Sequence, residues 1–231
     1  MNLRPGCIAS PKLWIALDVP TQDEAEWWMN QFPQHRHYKV GMELFYHIGP
    51  QILHQWIQDK GLSLFLDLKL HDIPRTVAQA IKQLDDIGVV MTTIHLSGGR
   101  DMCHAAVQAR RHVSIVGVSV LTSLGDHDLK DVGLTWPTKE SVNRLVGIGQ
   151  QSGLDGVVVS GQELSGLARQ WPGGRFVVPG IRREGDAEND QKRVVSPQWA
   201  LSQGATDLVI GRTLLKAEQP RVVYQELMHL L

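Results

Sequence analysis

Asp67, Lys69 and Asp72 lie close together in the stretch Leu64–Thr76, read LFLDLKLHDIPRT. The first half of that stretch is apolar and predicts a buried strand. Residues two apart on a strand point to the same side, so Asp67 and Lys69 share a face. Asp72 follows at the turn into a helix that Pro74 can open at its first position. Charges inside a buried strand are costly unless they are paired. One reading is a salt bridge at a strand end, with an Asp satisfying a helix start. The other is a ligand site in which an ammonium and carboxylates do electrostatic and acid–base work. A second stretch offers anion binding. In Val209-Ile-Gly-Arg-Thr213 the glycine lets an oxyanion approach backbone N–H groups, and Arg212 can grip it bidentately. Gln191, in a polar segment upstream, could reach the same anion.

The elements that must position these residues alternate along the chain. Strands are expected at Leu13–Val19, Tyr38–Met42, Leu62–Leu70, Val89–Leu96, Ser114–Leu121, Gly156–Ser160, Arg175–Ile181 and Asp207–Gly211. Helices are expected between them. Thr21 caps the first, whose start is acidic. The second is interrupted at Gly49–Pro50 and ended by Gly61. Pro74–Ile87 is amphipathic through Val77, Ile81 and Leu84, and Gly88 stops it. Gly99–Arg111, Thr138–Gln151 with Thr138 as cap, Gln162–Gln170, Pro197–Ser202 and Gln219–Leu231 follow. Thr122–Pro137 is mixed, and Arg182–Arg193 is polar and reads as an exposed loop. Regular alternation predicts a parallel sheet. Eight such units without a linker predict an α/β fold of the closed (β/α)8 TIM barrel type, a single domain over residues 1–231. An open doubly wound sheet is the structural alternative, and the first strand is followed by no glycine-rich dinucleotide fingerprint.

Composition bounds the function. Lys plus Arg is 23 against 24 for Asp plus Glu, a net charge of −1, so no nucleic-acid surface is expected. Residues 1–12 lack the apolar core of a secretory signal, and no apolar run is long enough to span a bilayer. The two cysteines, Cys7 and Cys103, have no metal-type spacing. A cytoplasmic protein is expected.

A barrel of this type carries its active site at the C-terminal ends of its strands. Those ends hold Asp18, Lys39, Asp67 with Lys69, His95, Thr122, Ser160, Arg182, and Gly211 with Arg212. Taken singly, Asp18 reads as a turn residue, His95 as a core histidine and Lys39 as a snorkelling side chain. A whole ring of polar strand ends is hard to explain as packing. The ends of the last two strands, Arg182 and Gly211–Arg212, predict a phosphate site.

These residues resemble orotidine 5′-phosphate decarboxylase of the bacterial type. The resemblance runs through LDV at 17–19, KVG at 39–41, DLKLHDIPRTV at 67–77, LTS at 121–123, PGIR at 179–182, DQKR at 190–193 and IGR at 210–212. Leu96, after His95, departs from it, since a small residue is expected there.

The resemblance implies decarboxylation of orotidine 5′-monophosphate to UMP and CO2, with no metal and no organic cofactor. Lys69 would stabilise the carbanion-like C6 and then protonate it, with Asp67 and Asp72 beside it. Asp72 and Thr76 would enter the site of a neighbouring subunit, which implies a homodimer. Asp18 and Lys39 would bind the ribose hydroxyls. Thr122 would lie at the pyrimidine end, and Arg182, Gln191, Gly211 and Arg212 at the phosphate end, with the Arg182–Arg193 loop closing over the nucleotide. Two other readings stay open. One is a metal-dependent sugar-phosphate decarboxylase or aldolase on the same barrel. The other is a phosphate-ligand binding module without catalysis.

Overall fold

The computed structural model describes residues 10–183 and 195–231. Among them, eight parallel strands close into a barrel in chain order, with the last pairing back onto the first. The strands are β1 Lys12–Ala16, β2 His37–Gly41, β3 Ser63–Leu70, β4 Met91–His95, β5 Ser114–Val118, β6 Gly156–Val158, β7 Arg175–Val178 and β8 Asp207–Ile210. The helices are α1 Gln22–Gln31, α2 Met42–Lys60, α3 Pro74–Ile87, α4 Gly99–Ala109, α5 Asp126–Asp131, α6 Thr138–Gln151, α7 Gly161–Gln170, α8 Pro197–Ser202, α9 Arg212–Leu215 and α10 Pro220–Met228. The expected (β/α)8 barrel is therefore present. No described helix is long and apolar enough to cross a membrane.

Strand alternation sorts the core into two parts. One face of each strand turns toward the helices, where Leu13, Ile15, Leu64, Leu66 and Ile115 pack against Leu53, Ile81 and Met102. The other turns inward, where Trp14, Ala16, Phe65, Met91, Val116, Val177 and Val209 fill the barrel. This apolar layer is a plug, so polar side chains on the inward face can stand only below it or above it. Asp18, Lys39 and Asp67 stand above it.

Local rules account for most boundaries. The Thr21 hydroxyl accepts the Glu24 N–H at 3.3 Å and caps α1. Pro74 opens α3, and Gly61 and Gly88 follow the last residues of α2 and α3. Gly49 breaks α2 at φ 70°, ψ 177°, a conformation open to glycine, just before Pro50. Thr138 is not the cap of α6, contrary to expectation. Pro137 takes that position, and Thr138 donates both its N–H (2.8 Å) and its hydroxyl (2.5 Å) to Asp126 Oδ1. That pair ties α6 to the start of α5, a helix inside the stretch read only as mixed. The four-residue α9 directly after β8 was also not anticipated.

Candidate active site

A cavity of about 230 Å³ opens at the C-terminal ends of the strands. Asp18, Lys39, Asp67, Lys69, Thr122, Arg182, Gly211 and Arg212 all line it, so the structure brings together eight of the residues singled out in the sequence. Phe65, Val118, Val158 and Val177 form its apolar floor.

Four of these side chains form a run of alternating charge across three neighbouring strand ends. Lys39 Nζ lies 3.0 Å from Asp18 Oδ1 and 3.9 Å from Asp67 Oδ2. Lys69 Nζ donates to the same Asp67 oxygen at 2.9 Å. Asp18 is more than half exposed, Lys39 and Asp67 are largely buried, and Lys69 is intermediate. Burial alone would push the Asp67 carboxyl up. The Lys39 and Lys69 ammoniums outweigh it, with hydrogen bonds from Lys69 and the Thr93 hydroxyl, and hold the carboxyl below its usual value. Asp67 is therefore a carboxylate at neutral pH.

Thr93 was missed by sequence reasoning. It is fully buried on β4, and its hydroxyl donates to Asp67 Oδ1 at 2.9 Å while accepting the Lys69 N–H at 2.8 Å. The available signal was the period of two that puts Met91, Thr93 and His95 on one inward face. His95 is half-buried and does not line the cavity. Its ring lies 5.3 Å from that of His71, and burial, then the nearby His71 and Lys69 charges, lower its pKa. Ser160 is buried, and its hydroxyl has no hydrogen-bond partner among the described residues.

Arg182, Gly211 and Arg212, expected at a phosphate end, sit where β7 and β8 end. Arg182 Nη1 donates to Ile181 O at 2.9 Å and to Thr213 Oγ1 at 3.3 Å, which fixes a buried guanidinium at the cavity wall. Gly211 packs close to the same wall: a Cβ there would lie 3.2 Å from Asp18 Oδ2. Asp72 and Thr76 are exposed and do not line the cavity of their own chain. Asp72 Oδ1 accepts the Ile73 N–H at 2.7 Å. Gln191, and most of the Arg182–Arg193 segment expected to close over the ligand, lie outside the described residues. Among the described residues, no three or more His, Cys, Asp and Glu side chains are gathered to hold a metal ion.

Residues 11–227 match the family model described as orotidine 5′-phosphate decarboxylase / HUMPS family. The chain belongs to that family. A relative from Erythrobacter litoralis named orotidine 5′-phosphate decarboxylase is 43% identical over 213 residues, covering 91% of this chain and 95% of its own. One of the same name from Hydrogenovibrio crunogenus is 43% identical over 224 residues, with 94% of each chain covered. The crystal structure of orotidine 5′-phosphate decarboxylase from Lactobacillus acidophilus superposes with a TM-score of 0.86 at 29% identity, covering 96% of this chain and 99% of that one. The barrel is thus shared with a solved structure of that name.

Proposed function

We propose that this chain decarboxylates orotidine 5′-monophosphate to UMP and CO2 in pyrimidine biosynthesis, as one domain spanning residues 1–231 and acting in the cytoplasm. The observation that carries this reading is the alternating run Asp18–Lys39–Asp67–Lys69 along one wall of a cavity whose other wall bears Arg182 and Arg212. β3 and β7 face each other across an eight-stranded barrel. A nucleotide can thus be anchored by its phosphate at β7 and β8 while its reacting carbon sits over β3. The similarity to relatives named for this reaction supports the same substrate.

In this reading the C6–carboxylate bond breaks with its electron pair left on C6, and CO2 departs. The carbanion-like carbon needs a cation and then a proton. The Lys69 ammonium supplies both, ends as a neutral amine and is reprotonated from water. Asp67, held ionised, keeps the ammonium in place and stands close to the substrate carboxylate, so that repulsion falls as CO2 leaves. Asp18 and Lys39 bind the ribose hydroxyls. Thr122 meets the pyrimidine. Arg182, Gln191, Gly211 and Arg212 take the phosphate. No metal and no organic cofactor is required for these steps.

The reading also pairs two chains. Asp72 and Thr76 do not reach their own cavity, and Met42, Tyr46 and Ile73 are exposed beside the ends of β2 and β3. Burying that apolar rim against a second copy would carry Asp72 and Thr76 toward the neighbour's Lys69.

The test is loss of orotate absorbance from orotidine 5′-monophosphate with purified protein in excess chelator. Turnover unchanged by chelator is expected. No turnover of orotidine 5′-monophosphate, with chelator-sensitive turnover of a sugar phosphate, would favour the metal-dependent sugar-phosphate chemistry of the same barrel. Binding of UMP with no turnover would mean a binding module.

A further inference from the structure

β3 breaks its pairing with β4 where it carries the charged pair. Leu66 is in register with Thr92 and Leu70 with Ile94, so Asp67, Leu68 and Lys69 stand opposite the single residue Thr93. Within that break Lys69 has φ 52° and is the one non-glycine residue of positive φ among the described residues. A break of this kind strands backbone groups that a regular ladder would satisfy. Two adjacent threonines of β4 take them up. The Thr92 hydroxyl donates to Leu66 O at 2.8 Å, and the Thr93 hydroxyl accepts the Lys69 N–H at 2.8 Å. Both threonines are fully buried.

The two hydroxyls do different work. Thr92 touches backbone alone. Thr93 spends its remaining proton on Asp67 Oδ1 at 2.9 Å, which leaves Oδ2 for Lys69 Nζ at 2.9 Å and Lys39 Nζ at 3.9 Å. One hydroxyl therefore fixes the backbone from which Lys69 springs and the rotation of the carboxylate that holds its tip.

We propose that Thr93 is the positioning residue of this site: its hydroxyl sets the Asp67 carboxylate and the Lys69 backbone in one arrangement, so that the ammonium is presented to the reacting carbon at a fixed place. This rests on the reaction proposed above. Preorganised charge matters for the chemical step more than for binding, because a mobile ammonium must be reoriented as negative charge develops.

The test compares Thr93→Val, which keeps the shape and removes the hydroxyl, with Thr93→Ser, which keeps the hydroxyl, and with Thr92→Val as the structural control. Thr93→Val is expected to lower kcat about tenfold to a hundredfold, the loss of a hydrogen bond to a charged group, with KM changed by no more than about threefold. Thr93→Ser should recover kcat to within about threefold of wild type. Thr92→Val should lower stability and leave kcat unchanged.

A readout independent of turnover is the carboxyl titration of Asp67 by NMR. The groups facing Asp67 are Lys39 from β2 with Asp18 of β1 behind it, Lys69 from its own strand, and Thr93 and His95 from β4. All but the hydroxyl persist in Thr93→Val, so the Asp67 titration should move to higher pH there and not in Thr92→Val.

Wild-type kcat in Thr93→Val, or Thr93→Ser as slow as Thr93→Val, would overturn the proposal. If Thr93→Val does not fold, Thr93→Ala is measured in its place. If neither folds while Thr93→Ser does, Thr93 is structural and the proposal falls. Should wild type itself fail to turn over orotidine 5′-monophosphate, the proposed reaction is what fails. The Asp67 titration then decides the positioning role alone.

Discussion

At the N-terminal end of the barrel Asp207 is fully buried, and its carboxylate is surrounded by donors. Trp14 Nε1 donates at 2.8 Å, Arg175 Nη2 at 2.6 Å, Arg175 Nε at 3.2 Å and the Thr206 hydroxyl at 2.7 Å. Arg175 also reaches Ser114 Oγ at 3.4 Å. At the C-terminal end Asp67 is largely buried and likewise paired with cations. Its partners, however, face a cavity, and the Lys69 ammonium is held by one carboxylate oxygen, with donor protons to spare. Both ends use carboxylate and cation on inward faces of strands, separated by the same apolar plug. A saturated pair has nothing left for a ligand and serves as a staple, whereas a pair that opens on a cavity can act on what enters it.

That contrast is open to direct attack. The largest effect is expected at the open end. Lys69→Ala should lower kcat by about a thousandfold or more, since both the cation and the proton donor are lost, while the protein stays folded and binds UMP. A tenth of wild-type activity remaining would rule out the role. Mixing that variant with an inactive Asp72→Ala chain should restore activity if sites are shared between subunits. The absence of recovery, with subunit exchange verified, would contradict the shared site.

At the staple the expected loss is of stability. Asp207→Asn leaves Arg175 without its anion and should cost about 3–5 kcal/mol in urea unfolding. kcat/KM of the folded fraction should not change, and a fall in kcat would show that the two ends are coupled through the plug.

Arg212→Ala comes next. A lost charged hydrogen bond of about 1.5–3 kcal/mol corresponds to roughly tenfold to a few hundredfold in kcat/KM. If phosphate binding far from C6 holds the reacting carbon in place, as proposed, part of the fall should lie in kcat. Added guanidinium ion should recover part of it. A raised KM with unchanged kcat would reduce Arg212 to a tether.

The smallest of these effects is the pH dependence of the staple end. His35 is buried beside Tyr38 and Tyr224, and Nε2 donates to His37 O at 2.7 Å. Burial is the main cause that lowers its pKa from 6.5 to about 4. The unfolded chain therefore binds a proton below about pH 6.5 that the folded chain refuses until about pH 4. Stability is complete above that window and is lost as pH falls through it, by about 1–2 kcal/mol between roughly pH 7 and 5. His37 at the same end, and His95 at the open end, are also lowered and add in the same direction. Urea midpoints across that range in wild type and His35→Asn measure it; an unaltered slope in the variant would assign the effect to the other two histidines.

The two ends also differed in how well they could be read from sequence. Asp67 and Lys69 stood out because two charges two residues apart interrupt an apolar run. The staple did not, because Arg175 and Asp207 are 32 residues apart and meet only through the register of β7 and β8. The eight strands were legible from apolar runs alternating with amphipathic helices. α5 and α9 were not, since helices of six and four residues are too short to show a periodic face. Thr93 was invisible for another reason. Threonine is an ordinary strand residue, and its importance comes from a break in β3 that no pattern in β4 announces. Asp72 drew notice by standing at the turn into α3, whereas the role expected of it and of Thr76 in a second subunit came only from the resemblance, because neither lines the cavity of its own chain.

The left-handed backbone at Lys69 sets stability against activity at a single residue. A side chain with a Cβ is disfavoured in that conformation by roughly 1–2 kcal/mol relative to glycine. Selection for thermal endurance alone would drift toward glycine there, and under the proposed mechanism selection for turnover would hold lysine against that drift. Lys69→Gly and Lys69→Ala are equally deprived of the ammonium, yet the glycine variant should melt higher than the alanine variant. A chain evolved or engineered only to survive heat would be under steady pressure to discard the residue to which the proposed chemistry assigns the cation and the proton.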